Sequence, residues 1–563
     1  MNYPWWHIPY LTAPMLIALV AIVHVLISMY AVGGGILLAW ENSFAIKKKQ
    51  RQYREYWRHH TGFFLVLSLV FGGVTGVGVW WTIGLASPTA TEQLIRIFVF
   101  GWAIEWVFFI IEIAALFVFY YCWHRLPDQV HRKVGFIYAA AAWISLVLIT
   151  GITAFMLNSR GLLTDWLQDS SFWSAFFNRQ TFPQILARTG GSLLLASLYV
   201  WLHATWTDVP DSLREKVVRR VGNASLLGIA ILVLGIAGWF FCLPKNSLLT
   251  LQRAAALNVF LVLGAAILAA MVLLIFLGPI RNPRKLNLCG AAALMLFGIA
   301  AVGTMEFVRE AVRKPFIIDR IVYGNQLRDD QIVSVRRQGI LRSGIWTRMY
   351  LAQLQEKYPH LQILPVVGTP VVPAQLSDNN INSDSNLNSD NSINGHTGGE
   401  ALLTQYRQPY QQPGGPQPPP SRTYTPVPTI PGQQPSGRRI TINQTAQNYG
   451  AIASPAELAA EQDPRPGMED LLMMEPDDRA ETGRVVFMNH CANCHAEKFG
   501  YSAVAPLLVG KTTREINMFI RHLNRPGINM PPWCGNDVEA QLLAEYLTGI
   551  RPEIPSEGNA AAM

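Results

Sequence analysis

The sequence predicts an all-α protein: a polytopic transmembrane bundle of about eight helices, a disordered linker, and a small α-helical domain at the C-terminus. Three observations predict it. Half of the 563 residues are hydrophobic and only 15 % are charged, and nearly all the long apolar runs lie in the first 310 residues. Each run is long enough to cross a hydrocarbon layer of ~30 Å at about 1.5 Å per helical residue. A polar tract then gives way to a compact segment with helical patterning. A single soluble domain is excluded by this concentration of apolar residues. The net charge of +8 does not indicate nucleic acid, because Lys and Arg sit in short clusters between the apolar runs, as membrane topology requires.

The apolar segments fall at 11–40, 60–85, 94–122, 133–157, 183–206, 221–243, 254–278 and 286–310. The connections after the first, third, fifth and seventh are basic: Lys47 to Arg58, Arg125 to Lys133, Arg214 to Arg220, and Arg281 to Lys285. The opposite connections offer only Arg96, Arg160, Arg179, Lys245 and Arg253. Positive charge stays inside, so a multi-pass protein of the bacterial inner (cell) membrane is expected, with both termini on the periplasmic side. The N-terminus lacks the basic start of a cleavable signal peptide.

Residues 1–320 are therefore read as the membrane domain. Residues 321–474 are read as a polar segment and a disordered linker rich in Pro, Asn and Gln, which cannot bury a core. Residues 475–563 form the soluble domain, on the periplasmic side by the same charge argument.

Six cysteines are too few and too dispersed for a disulfide framework, and Cys122, Cys242 and Cys289 sit in apolar runs as packing residues. Cys491-Ala492-Asn493-Cys494-His495 is different. In a C-x-x-C-H sequence two thiols can add to the vinyl groups of a haem while the histidine ligates its iron. A helix from Glu481 to Asn489 leads in, Asn529-Met530-Pro531-Pro532-Trp533 fixes a methionine in a loop, and a second helix runs from Asp537 to Thr548. Met518 and Met488 are competing methionines without the proline context, and Cys534 reads as a free buried thiol. The segment resembles a class I cytochrome c. The resemblance implies one covalent haem c on Cys491 and Cys494, with His495 and Met530 as axial ligands, and hence a one-electron carrier.

Ionisable residues at membrane depth are costly unless paired or ligating. They are His24, Glu105, Glu112, His203, and the outer group Glu306, Arg309, Glu310 and Arg313. His59, His60, Glu55, His124 and His131 flank the membrane on the inner side, where a solvated interfacial role is expected. His24 wants either a hydrogen-bond partner or a metal.

His24-Val25-Leu26, the triplet Gly33-Gly34-Gly35, the basic loop and Trp57 resemble the opening of subunit I of cytochrome bd-type oxidases. The stretch from Glu112 to Trp123-His124-Arg125-Leu126, then His131 and Met156-Leu157-Asn158, and finally Arg309 to Phe316 follow the family in order. The resemblance implies haem b and/or haem d in the membrane domain, His24 and Glu310 as ligands at a high-spin site, and Arg313 beside a haem propionate. It also implies Glu112, and less directly Glu105, as proton-handling catalytic acids. Oxygen as substrate and a second membrane subunit follow from the same resemblance.

The departures matter as much. Where the family's low-spin haem takes a His and a Met, this chain reads Leu186-Ala187-Arg188-Thr189 and Ala256-Leu257-Asn258-Val259. The quinol loop shrinks to Leu243–Thr250. The expected reading is a bd-like terminal oxidase subunit taking electrons from a periplasmic donor, a cytochrome c or similar, through its own haem c. An electron-transfer subunit that reduces no oxygen and a non-catalytic membrane anchor for cytochrome c are the rivals.

Overall fold

The computed structural model describes residues 5–364, 468–500, 502–523 and 529–552. Among the described residues, eight helices are long and apolar enough to cross a membrane: α1 (Thr12–Lys47), α2 (Arg51–Ala86), α3 (Val99–Tyr121), α4 (Asp128–Phe155), α5 (Thr181–Trp206), α6 (Asp211–Phe241), α7 (Ala255–Ile280) and α8 (Leu288–Val312). The all-α class and the eight segments are as the sequence predicts. α2 starts at Arg51 rather than 60, because Tyr53, Tyr56 and Trp57 give its first turns an apolar face that is buried.

Successive helices run antiparallel. His24 meets Thr75 while Glu41 meets Tyr53 across α1 and α2, and Glu112 meets Tyr138 across α3 and α4. The end at which α1 begins is called the top; α8 therefore ends there.

Without a hydrophobic drive between helices in lipid, close packing at small residues holds the bundle. A Cβ on Gly33 would lie 2.0 Å from the Ser192 carbonyl oxygen on α5, one on Gly34 2.6 Å from Phe64 on α2, and one on Gly35 2.1 Å from Tyr138 on α4. Three consecutive glycines thus let α1 sit against three neighbours at one level. Gly190 on α5 meets the Leu232 backbone of α6 in the same way, at 2.3 Å.

The bottom half holds the aromatic core, with Tyr30, Tyr53, Trp57, Phe64, Trp123 and Trp201 fully buried. Glu41 is buried there, accepting from Arg220 at 2.8 and 3.0 Å and from the Tyr53 hydroxyl at 2.6 Å. The solvated role expected for His60 and His131 does not hold, since both are fully buried. His131 accepts from the Asn42 amide at 3.1 Å and donates to the Phe119 carbonyl at 2.9 Å. His60 Nε2 lies 3.1 Å from the Tyr30 hydroxyl. Cys122 and Cys242 are half-buried, whereas Cys289 is exposed on α8 and does not pack.

After α8 a hairpin forms, β1 (Phe316–Ile318) and β2 (Val322–Tyr323), paired antiparallel. Its turn is held by Arg320, which donates to both Asp165 oxygens at 2.7 and 2.8 Å, and the chain just after β2 is held by Gln326, bonded to Ser87. Two helices follow, α9 (Ile332–Gln338) and α10 (Ile345–Lys357). The C-terminal segment supplies α11 (Pro476–His490), α12 (Thr513–Arg521) and α13 (Asp537–Ile550), with α11 and α13 packed together at Gly483.

The sequence reading puts residues 321–364 with the linker. In the structure Leu327, Val335, Ile340, Leu341, Leu351, Leu354, Leu361 and Ile363 share one buried core with Val486, Phe487, Trp533, Leu542 and Leu543. Glu539, at the third position of α13, closes a capping box with Asn536 and also accepts from the backbone N–H groups of Ile340 and Leu341 at 3.0 and 2.7 Å. The expected linker from 365 to 467 lies outside the described residues.

Candidate functional site

α11 ends at His490, and the chain turns immediately, with the N–H groups of Cys494 and His495 donating to the Cys491 carbonyl at 3.1 and 3.0 Å. Cys491 and Cys494 are free thiols, half-buried on one turn. Burial pushes the Cys491 thiol up to about 12 and holds the His495 imidazole below its ordinary range. His495 Nδ1 lies 2.9 Å from the Ser502 carbonyl oxygen, which can only accept. Nδ1 therefore carries the proton, and the Nε2 lone pair is left for a metal. This donor set fits a haem c. Of the three candidate methionines, Met530 packs against the domain core beside the prolines, Met488 sits on α11 against the same core, and Met518 is 55 % exposed on α12. Cys534 is a fully buried free thiol, as the sequence suggests.

This turn faces the top of the membrane bundle. Asn493 donates to the Ala86 carbonyl at the end of α2 at 3.1 Å and accepts from the Ala13 N–H at the start of α1 at 3.3 Å. Asn325 donates to His490 Nδ1 at 3.2 Å, and the Cys494 thiol lies 3.5 Å from the Gly324 carbonyl oxygen.

Within the bundle His24 is half-buried on α1. Its Nδ1 is 3.1 Å from Thr75 Oγ1, and the Thr75 hydroxyl proton is already given to the Phe71 carbonyl at 2.7 Å. His24 Nδ1 must then be the donor, again leaving Nε2 free. Gly76 makes room for the ring, since a Cβ there would lie 3.2 Å from His24 Cε1. Glu112 accepts from the Tyr138 hydroxyl at 3.0 Å; Glu105 lies two turns earlier on α3.

At the top of α8, Glu310 is ion-paired to Arg313 and lies 3.7 Å from Lys314 Nζ. Arg313 is buried, donates to the Ile317 carbonyl at 3.0 Å, and keeps its Nε without a partner. Arg313 thus keeps a donor suited to a carboxylate, and His24 Nε2 a lone pair suited to a metal, with no contact recorded between the two side chains. Glu310 itself is engaged by its two cations. No contact brings Glu310 to His24, although α1 and α8 pack together.

Sequence reasoning noted Arg188 only as a lost ligand position. The structure pairs its guanidinium with Thr150 at 3.2 Å. It also missed Lys314, Gly324 and Asn493, because their importance arises only when distant segments meet. At the bottom, His59, His203, Glu55 and Arg58 line a cavity of about 630 Å³, but among the described residues no three His, Cys, Asp or Glu are placed to hold a metal ion together.

Residues 13–242 match the family model for cytochrome bd terminal oxidase subunit I, and residues 478–547 match that for cytochrome c oxidase, cbb3-type, subunit III. Over these two stretches the chain is similar to a bd oxidase subunit I domain and to a cytochrome c domain. The first match includes His24, Glu105 and Glu112 and ends before α7, so Glu310 and Arg313 lie beyond it. The cytochrome c match contains Cys491, Cys494, His495 and Met530. The bd oxidase from Geobacillus thermodenitrificans overlays with a TM-score of 0.47 at 14 % identity, over 54 % of this chain and 87 % of that one. No curated protein matches the chain.

Proposed function

We propose that this chain is a membrane respiratory oxidoreductase subunit in which electrons enter at a haem c on Cys491 and Cys494 and pass to a high-spin haem site at the top of the bundle, where oxygen is reduced. One observation carries the reading: the Cys491–His495 turn packs against the ends of α1 and α2 and the segment after α8, the end of the bundle that also holds Glu310 and Arg313. The haems would supply one-electron redox chemistry and, at the high-spin site, an open position for oxygen.

The chain's own residues set the rest. Ser502 fixes the tautomer of His495, and Thr75 that of His24. Arg313 offers its free Nε to a carboxylate, and Tyr138 holds the Glu112 side chain in place to take or release a proton. The proposed haem types of the membrane site are b and/or d. The proposed partners are a periplasmic cytochrome c or similar donor and a second membrane subunit. In the proposed topology both termini and the cytochrome c domain are periplasmic.

The test is oxygen uptake by the purified protein. Reduced soluble cytochrome c should drive it, and Cys491→Ala with Cys494→Ala should abolish it while non-c haem remains bound. Quinol-driven uptake at full rate in that double variant would overturn the proposal. A second reading, electron transfer to a partner without oxygen reduction, is favoured by the engagement of Glu310 with Arg313 and Lys314; it predicts donor oxidation without oxygen uptake once an electron acceptor is added.

A further inference from the structure

Lys314 is the residue whose placement the electron-entry reading does not use. Its Nζ is buried without a hydrogen-bond partner and lies 3.7 Å from Glu310 Oε1. A Cβ built on Gly324 would be 3.9 Å from that same Nζ and 3.2 Å from Cys494 Sγ. The ammonium and the haem-attachment sulfur therefore both neighbour one glycine. A side chain at 324 would press on the sulfur and reach the ammonium.

The surrounding contacts are directional. Asn325 engages His490, the last residue of α11, and Asn493 engages both Ala13 and Ala86. Gln326, buried two residues after Gly324, is bonded to Ser87 Oγ at 2.9 Å, so the segment is itself pinned to the top of the bundle.

We propose that residues 314–325 form a seat for the Cys494 edge of haem c, with Lys314 as a positioning residue whose charge acts on the haem c iron from one side and on Glu310 from the other. The proposal rests on the haem c reading of the Cys491–His495 turn and names the surface by which that haem meets the membrane domain. A fixed cation beside a haem favours the reduced iron, which carries one positive charge fewer, and the effect is large only where water is excluded. The buried Nζ meets that condition.

The experiment is a redox titration of the haem c band in the full-length protein, compared with three variants. Lys314→Gln should lower the midpoint potential, so that at a fixed poise the reduced-to-oxidised ratio falls several-fold, and Lys314→Arg should restore most of it. Gly324→Val, which pushes the seat away from Cys494, should lower the potential with Lys314 still present. An unchanged potential in both Lys314→Gln and Gly324→Val, with haem c still attached, would overturn the seat. These readings concern haem c alone: they stand if the membrane domain reduces no oxygen, and absence of covalent haem from the wild-type chain would instead refute the underlying reading.

Discussion

Glu539→Ala tests whether residues 332–357 belong to the cytochrome c domain. In the wild type, Glu539 Oε1 accepts from Leu341 N–H at 2.7 Å, while Oε2 accepts from Ile340 N–H at 3.0 Å and from Asn536 N–H at 2.9 Å. The side chain is fully buried. Removing it leaves buried backbone donors without acceptors, at about 1–3 kcal/mol each, and removes half of a capping box. Burial pushes the Glu539 carboxyl above its ordinary range, so part of the hydrogen-bond gain is already offset by desolvation. The low end of the sum, about 3 kcal/mol, is therefore the expected loss. For a unit of this size that corresponds to a fall in Tm of roughly 10 °C or more. The assay is thermal melting of the full-length protein followed at the haem c absorbance. A melt unchanged within about 2 °C, well below that shift, would refute the anchoring of α9 and α10 by this carboxylate.

Three further outcomes follow from the bundle. Gly190→Leu should disrupt the contact of α5 with α6, where the Leu232 backbone leaves no room for a Cβ, at a cost of about 3 kcal/mol or more; a lower melting temperature and loss of monodispersity in detergent would report it. His24→Ala should remove high-spin haem, seen in a pyridine haemochrome spectrum, and leave haem c intact; unchanged non-c haem would exclude His24 as a ligand. Tyr138→Phe, which frees Glu112 from its 3.0 Å hydrogen bond, should slow turnover several-fold at unchanged haem content, and equal turnover would remove Tyr138 from the proton-handling group.

The membrane helices were legible because an apolar run of that length has few other uses, and the C-x-x-C-H turn because its chemistry fixes its spacing. The burial of His60 and His131 was hidden, since basic neighbours such as Arg58 and Arg132 mark an interface while Tyr30 and Asn42, the partners that permit burial, lie on another helix. The core role of Leu327 to Ile363 was hidden for a related reason. The segment is basic and short on continuous apolar pattern, and its burial depends on α11 and α13, more than a hundred residues later. Glu310 was legible as a membrane acid, but its closure by Lys314 required the turn of the chain after α8 to be known.

Through the core that 327–363 shares with 468–547, the domain is assembled from two stretches of chain that lie more than a hundred residues apart in sequence. During synthesis the first half must wait for the second before its leucines are covered. A single cut between the two stretches would leave the C-terminal one held by the buried core it shares with residues 327–363.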